Sequence, residues 1–339
     1  MKTVTFGELL LRLEPEGYYR FVQAERMTST FGGAEANVAV SLANFGADSF
    51  FVTKLPSHEI GQSAVNSLRR FGVRTEHIVR GGNRVGIYFN ERGASQRPSK
   101  CIYDRTGSAI AESSPSDFDW STILKEADWF HFTGVTPALG GNLPEICIEA
   151  CKAAQAKGIP VSCDLNYRSK LWTKSQAKET MEKIAPYIDV CISNEEDAKD
   201  VFGIEADGSD IENGKLSRNG YKSAALRLAE TYGFKKVAVT LRTSINASIN
   251  RWSALFYDGK DFFFSREHEI LIVDRLGGGD SFSAGLIYSL LCNESSQNCV
   301  DFASAASCLK HSIEGDFNMV SAEEVRHLAK GDASGRIQR

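Results

Sequence analysis

No stretch of this 339-residue chain approaches the roughly 20 consecutive apolar residues that a membrane-spanning helix needs. The opening "MKTVTFGELLLRLEPEG" lacks the long apolar region and small-residue cleavage site of a secretory signal. Long basic stripes and acidic tails are missing as well. With a formal net charge of −4, neither nucleic acid nor a membrane surface is the expected main partner. The eight cysteines never form a CxxC pair. Cys147 and Cys151 have helical spacing in an apolar face, and Cys163 and Cys191 lie in strand-like runs. They read as buried reduced thiols, not as a disulfide framework or a zinc site, and the expected location is the cytoplasm. The histidines lack ligand spacing, and His131, within "WFHFTG", reads as a core residue.

Several glycine signatures are also absent. A GxGxxG fingerprint beginning at Gly277 would need glycine where Phe282 stands. Neither Gly214-Lys215 nor Gly259-Lys260 continues into the Ser/Thr of a phosphate-binding P-loop, and no calcium loop is present.

What is present alternates regularly in the second half. "EICIEACKAAQAKG" predicts an amphipathic helix ended by Gly158, followed by a buried strand in "IPVSCDLN". "SQAKETMEKIAPY" is helical, and "IDVCISNEED" runs from a strand into a capped helix. "KSAALRLAETYG" and "KKVAVTLR" repeat the pair. Short apolar strands between such helices imply an α/β fold of parallel βαβ units. The first half differs: "TVTFGE" is followed by "LLLRLEP", "YYRFVQAE" and a helix from Ala34 to Phe45. "RVGIYFNE" and "SKCIYD" then suggest a small antiparallel sheet inserted into the body. The polar "IEADGSDIENGKLSRNGY" reads as a surface loop.

Two stretches carry chemistry. In "VDRLGGGDSFSAG", Gly277, Gly278 and Gly279 precede Asp280 and a helix start. Such a nest of N–H groups at a helix N-terminus favours an anion. Asp280 is then either the base that takes an alcohol proton during phosphoryl transfer or simply a helix cap. In "FGGAEANVAVSLANFG", Gly32 and Gly33 precede a helix with Asn37 on its first turn. This pair either lets a polyhydroxy ligand approach the backbone or makes a tight turn with a solvated Asn.

Together, in this order and separation, the Gly-Gly-x-x-x-Asn and G-x-G-D elements resemble the two signatures of the ribokinase-type (pfkB) sugar kinases. The resemblance spans about Val4 to Val325. Within the family, "CIYDR", "DLNYRSKLW" and "EGDFN" are most similar to 2-keto-3-deoxygluconate kinases. It implies a three-layer αβα sandwich with a mostly parallel central sheet and a small antiparallel β-lid. Residues 1–330 would form one kinase domain, with lid segments about 10–25 and 83–106, and 331–339 a polar tail. A homo-oligomer, a dimer or higher, is expected through the lid.

The resemblance also implies ATP and Mg²⁺ as cofactors, Asp280 as base and Gly277–Gly279 as the anion hole. It assigns Gly33, Tyr103, Arg105, Arg168, Asp280 and Asp316 to a sugar acid, whose carboxylate suits arginine's planar fork. Tyr88 and Tyr103, one on each lid run, would close over the sugar. Near ATP it places Asn194, Thr240, Arg242 and Ser304. Asp197 stands where many relatives carry Glu and would reach less far toward magnesium. "TSINASINRW" departs from the glycine-rich pattern common there, and Gly278 stands where relatives often carry Ala. Glu8 would hold either sugar hydroxyls or the lid backbone. The expected reaction is phosphorylation of 2-keto-3-deoxygluconate at its C6 hydroxyl. The alternatives are a kinase of a neutral sugar such as fructose or ribose, or a non-catalytic sensor on the same fold. A dinucleotide oxidoreductase lacks its glycine fingerprint.

Overall fold

The computed structural model describes residues 1–194, 196–206 and 217–332. Glu195, most of the polar stretch read as a surface loop (207–216) and most of the polar tail (333–339) lie outside the described residues.

Fourteen strands are described. They are β1 (Lys2–Phe6), β2 (Leu10–Pro15), β3 (Met27–Gly32), β4 (Asp48–Leu55), β5 (Ile78–Arg80), β6 (Ile87–Glu91) and β7 (Lys100–Asp104), then β8 (Trp129–Thr133), β9 (Val161–Asp164), β10 (Val190–Ser193), β11 (Lys236–Ser244), β12 (Ile249–Tyr257), β13 (Phe262–Phe264) and β14 (His268–Leu271). The helices are α1 (Ala34–Asn44), α2 (Glu59–Arg69), α3 (Trp120–Ile123), α4 (Val135–Ala138), α5 (Leu143–Ala156) and α6 (Lys174–Ile184), then α7 (Asp197–Phe202), α8 (Arg218–Tyr232), α9 (Gly278–Leu291), α10 (Ser296–Lys310) and α11 (Ala322–Ala329).

Ten strands form one sheet in the order β13-β12-β11-β10-β9-β8-β1-β4-β5, with β14 pairing to β12. From β11 to β5 every neighbouring pair is parallel, whereas β12 runs antiparallel to β11, β13 and β14. The central strands are short apolar runs, and β8, β9 and β10 are buried at every position. Helices on both faces bring this about. One face packs Ile146, Met181, Val201 and Leu228 from α5 to α8. The other packs Leu42, Phe282, Phe302 and Val325 from α1, α9, α10 and α11. Cys147, Cys151, Cys163 and Cys191 fill the first of these cores. His131 is wholly buried, its Nδ1 2.8 Å from the Ser162 hydroxyl, and burial pushes its pKa down to about 3.

The second sheet is the lid, ordered β3-β2-β6-β7. Its outer pairs are antiparallel, but β2 and β6 run parallel, which the sequence did not suggest. The first lid segment also extends further than the expected residues 10–25, because its second strand is β3, which follows "YYRFVQAE". That stretch turns, with Gly17 at φ 56° and Tyr19 N–H bonded to the Glu16 carbonyl. Its aromatic residues mimic a strand's composition, but Tyr18 and Tyr19 point into solvent.

The parallel order reverses at β1, which lies between β8 and β4 although it begins the chain. Ligands of open α/β sheets bind beyond the carboxyl ends of strands at such a point. The candidate site lies on that side.

Candidate functional site

A cleft of about 1000 Å³ is lined by β7 of the lid, the segments following β9 and β10, β11, β12 and the N-terminus of α9. Gly277 is the N-cap of α9 and takes the left-handed φ of 80°. A Cβ there would lie 2.1 Å from the Asp316 carbonyl oxygen, so only glycine lets these backbones meet. A Cβ on Gly278 would lie 2.4 Å from His311 Cε1. The space beside Gly279 is open. Packing within the protein thus requires glycine at Gly277 and Gly278, while Gly279 is exposed and lines the cleft.

Asp280 sits on the first turn of α9 but does not cap it, since no side-chain cap bond is made there. Its Oδ2 instead accepts from Asn37 Nδ2 at 2.7 Å, and Asn37 Oδ1 accepts the Gly33 N–H at 3.2 Å. Two helix N-termini, α1 and α9, thus meet across one carboxylate. Loss of water pushes the Asp280 pKa up to about 7. The Asn37 bond and Arg168 oppose that rise, and the charges of Asp316 and Glu35 add to it. A carboxylate near neutrality, opening to a cleft beneath helix N–H groups, can accept a proton from a bound alcohol.

Of the other residues singled out, Tyr103, Arg105, Arg168, Asn194, Thr240 and Arg242 line the cleft together with Gly277–Asp280. Arg168 is exposed, donates to the Tyr167 carbonyl at 2.9 Å, and has no carboxylate at ion-pairing distance among the described residues. Arg105 differs. Its Nε donates to Glu8 Oε2 at 2.8 Å and its Nη2 bonds the same oxygen, while Ser108 donates to Glu8 Oε1 at 2.7 Å. Glu8 therefore spends its two oxygens on the Arg105 and Ser108 side chains and fixes Arg105. Asn194 Oδ1 accepts the Glu196 and Asp197 N–H groups at 2.7 and 2.9 Å, tying down the start of α7. Asp197 lines the cleft, but its two oxygens accept the Tyr167 and Asn194 N–H groups at 3.2 and 3.4 Å. Burial raises its pKa to about 6.

Five other expected residues do not line this cleft. Tyr88 is buried behind the cleft; its hydroxyl donates to Asp316 Oδ1 at 2.6 Å, and only Tyr103, stacked on it at 5.9 Å, faces the opening. Asp316 is not free to meet a ligand with that oxygen, which Arg12 Nη1 also approaches to 2.6 Å. Gly32 and Gly33 abut the Asp316 carboxylate and the Glu8 carbonyl, so they shape the packing behind the cleft and do not line it. Ser304 is fully buried within α10, where the small-residue face packs against α9, and does not line the cleft.

Arg12 is the principal residue that sequence reasoning missed. Fully buried, it also bonds Asp274 Oδ2 at 2.7 Å and pairs with Glu14. It thereby ties lid strand β2 to the loops carrying Gly277 and Asp316. In "LLLRLEP" Arg12 and Glu14 share the buried face with Leu10, while Leu11 and Leu13 are only half-buried. The signal was an Arg-x-Glu pair on one face of a strand. His311 and Trp252, tilted together at 5.4 Å, also line the cleft without having been singled out.

The model of the pfkB family carbohydrate kinases matches residues 2–321. This chain belongs to the pfkB family of carbohydrate kinases. It is 31% identical to the 2-dehydro-3-deoxygalactonokinase of Haloferax volcanii, over 98% of both chains. The crystal structure of 2-dehydro-3-deoxygluconokinase from Thermotoga maritima shares 52% identity with this kinase. It superposes with a TM-score of 0.94, covering 98% of this chain and all of that one. A pfkB family carbohydrate kinase from Listeria grayi shares 33% identity at a TM-score of 0.90, covering 97% and 100%. As a member of this family the protein is an enzyme, a kinase, with the ribokinase-like fold.

Proposed function

We propose that this kinase transfers the terminal phosphoryl group of ATP to the C6 hydroxyl of 2-keto-3-deoxygluconate. The products are 2-keto-3-deoxy-6-phosphogluconate and ADP. The observation that carries this is the pairing of Asp280, near neutral in pKa and held by Asn37, with the unpaired Arg168 in the same cleft. As the C6 oxygen bonds to the γ-phosphorus, its proton passes to Asp280 and the bond from that phosphorus to the bridging oxygen breaks. The N–H groups at the start of α9 receive the charge of the transferring group. Arg168 binds the substrate carboxylate, and Arg105, oriented by Glu8, lies beside Tyr103 on the lid wall. Sugar-acid names among the relatives support this substrate class, and the Thermotoga structure favours the gluconate form.

Magnesium fits as a companion of the nucleotide and not as a caged ion. Among the described residues no three His, Cys, Asp or Glu side chains group to hold a metal. Asp164 and Asp197 are the buried carboxylates facing the cleft, and Asp197 is already committed to backbone N–H groups. Bound to the phosphates and water, the ion would neutralise triphosphate charge.

The whole is read as one kinase domain with two inserted lid segments, acting in the cytoplasm. Association through the lid belongs to the same proposal, because Tyr18, Tyr19, Val22 and Met27 expose apolar surface beside β3. A coupled assay across 2-keto-3-deoxygluconate, its C4 epimer, fructose and ribose tests the substrate. Preference for a neutral sugar would overturn it.

A further inference from the structure

We propose that Arg275 is a contact of the nucleotide's phosphate chain, supplying a guanidinium beside the glycine cradle. Arg275 stands two residues before Gly277 and lines the cleft with Arg242, Trp252 and His311. It is half-buried, and its Nη2 donates to the Ala247 carbonyl at 3.0 Å. Among the described residues no carboxylate lies at ion-pairing distance. The adjacent Asp274 does not serve. Its Oδ2 is taken by Arg12 and by the Gly315 N–H at 3.0 Å, and its Oδ1 by the Leu276 N–H at 3.2 Å.

A partly desolvated cation without a counterion is costly, and a second cation nearby raises that cost. Burial and the charge of Arg242 press the Arg275 pKa downward, and the charge of Asp274 offsets them only in part. An anion in the cleft would relieve both effects. An extended, multiply charged one suits a wall of two guanidiniums next to a helix N-terminus, and a nucleoside triphosphate carries such a chain. Arg275 also reaches the polar turn between β11 and β12. Arg275 holds the Ala247 carbonyl of that turn, while the Ala247 N–H donates to the Ser95 carbonyl of the lid hairpin at 2.7 Å. The Ser95 N–H in turn donates to Ser248 Oγ at 3.0 Å. The same side chain would thus touch the phosphates and support the turn on which the lid tip rests.

This inference rests on the proposal that a nucleotide occupies the cleft. The test is calorimetric titration of ATP and of adenosine, without any sugar, into wild type and Arg275→Met. The variant is expected to bind ATP about ten- to a hundredfold more weakly, with adenosine affinity unchanged. The salt dependence of ATP binding should also weaken. ATP affinity within about twofold of wild type, or an equal loss for adenosine, overturns the assignment. Should Arg275→Met fail to fold, Arg275→Lys is titrated alike, and about a threefold or greater loss for ATP alone is expected. Unchanged ATP affinity in that variant overturns it equally. Wild type that binds ATP yet phosphorylates no sugar acid would sink the substrate and spare Arg275. Wild type that binds no ATP would sink both.

Discussion

Asn37 Nδ2 donates to Asp280 Oδ2 at 2.7 Å, joining residues 243 positions apart in the sequence. The two family signatures are therefore one device: the first holds the carboxylate of the second. Because the bond favours the ionised carboxylate, its removal should raise the Asp280 pKa further.

The acidic limb of kcat/KM reports that pKa. A base works only when deprotonated, so activity should fall as pH drops through about 7. In Asn37→Ala the limb should move to higher pH. A pH profile of both proteins checks this, and a limb that stays in place would separate Asn37 from the base.

Stability should carry the opposite signature. The folded pKa of about 7 lies above the ordinary carboxylate value of about 4, so the native state holds a proton that the unfolded chain has released. Asp280 therefore costs the fold stability as pH rises from about 4 to 7. Asp280→Asn should be more stable than wild type at pH about 8, with the difference shrinking toward pH about 5. Denaturant melts at the two pH values read this directly.

Gly278 should not accept alanine. A Cβ would strike the His311 ring, so Gly278→Ala should destabilise by about 1–3 kcal/mol. Adding His311→Ala should recover part of that loss, and a double-mutant cycle measures the coupling. Additive effects would show that the ring moves aside freely.

Arg12→Met should cost about 3–5 kcal/mol, because it leaves the Asp274, Asp316 and Glu14 carboxylates buried without their shared cation. Equilibrium unfolding in urea measures it. A loss below about 1 kcal/mol would mean that the cluster is not a structural hub.

Much of this was readable from residue order. The parallel sheet showed in short apolar runs such as "VSCD" and "VCIS", and the glycines marked the helix start. What escaped was long-range pairing. No local pattern says that Tyr88 would spend its hydroxyl on Asp316, 228 residues away, or that Glu8 would fix Arg105. Nor does motif position along α10 say that Ser304 is fully buried.

The carboxylate clamp has its own test. Arg168→Ala should raise KM for 2-keto-3-deoxygluconate by about ten- to a hundredfold, leaving KM for ATP unchanged. Arg105→Ala should also raise it, and should expose Glu8. If both variants handle the sugar acid as wild type does, the clamp is wrong.

The central claim is that Asp280 takes the proton of the sugar acid's hydroxyl. Turnover of 2-keto-3-deoxygluconate by Asp280→Asn, with ATP binding measured in parallel, tests it most directly. We expect kcat to fall by about 10²–10⁴ with ATP affinity largely retained. Turnover at the wild-type rate by a folded, ATP-binding Asp280→Asn would contradict it.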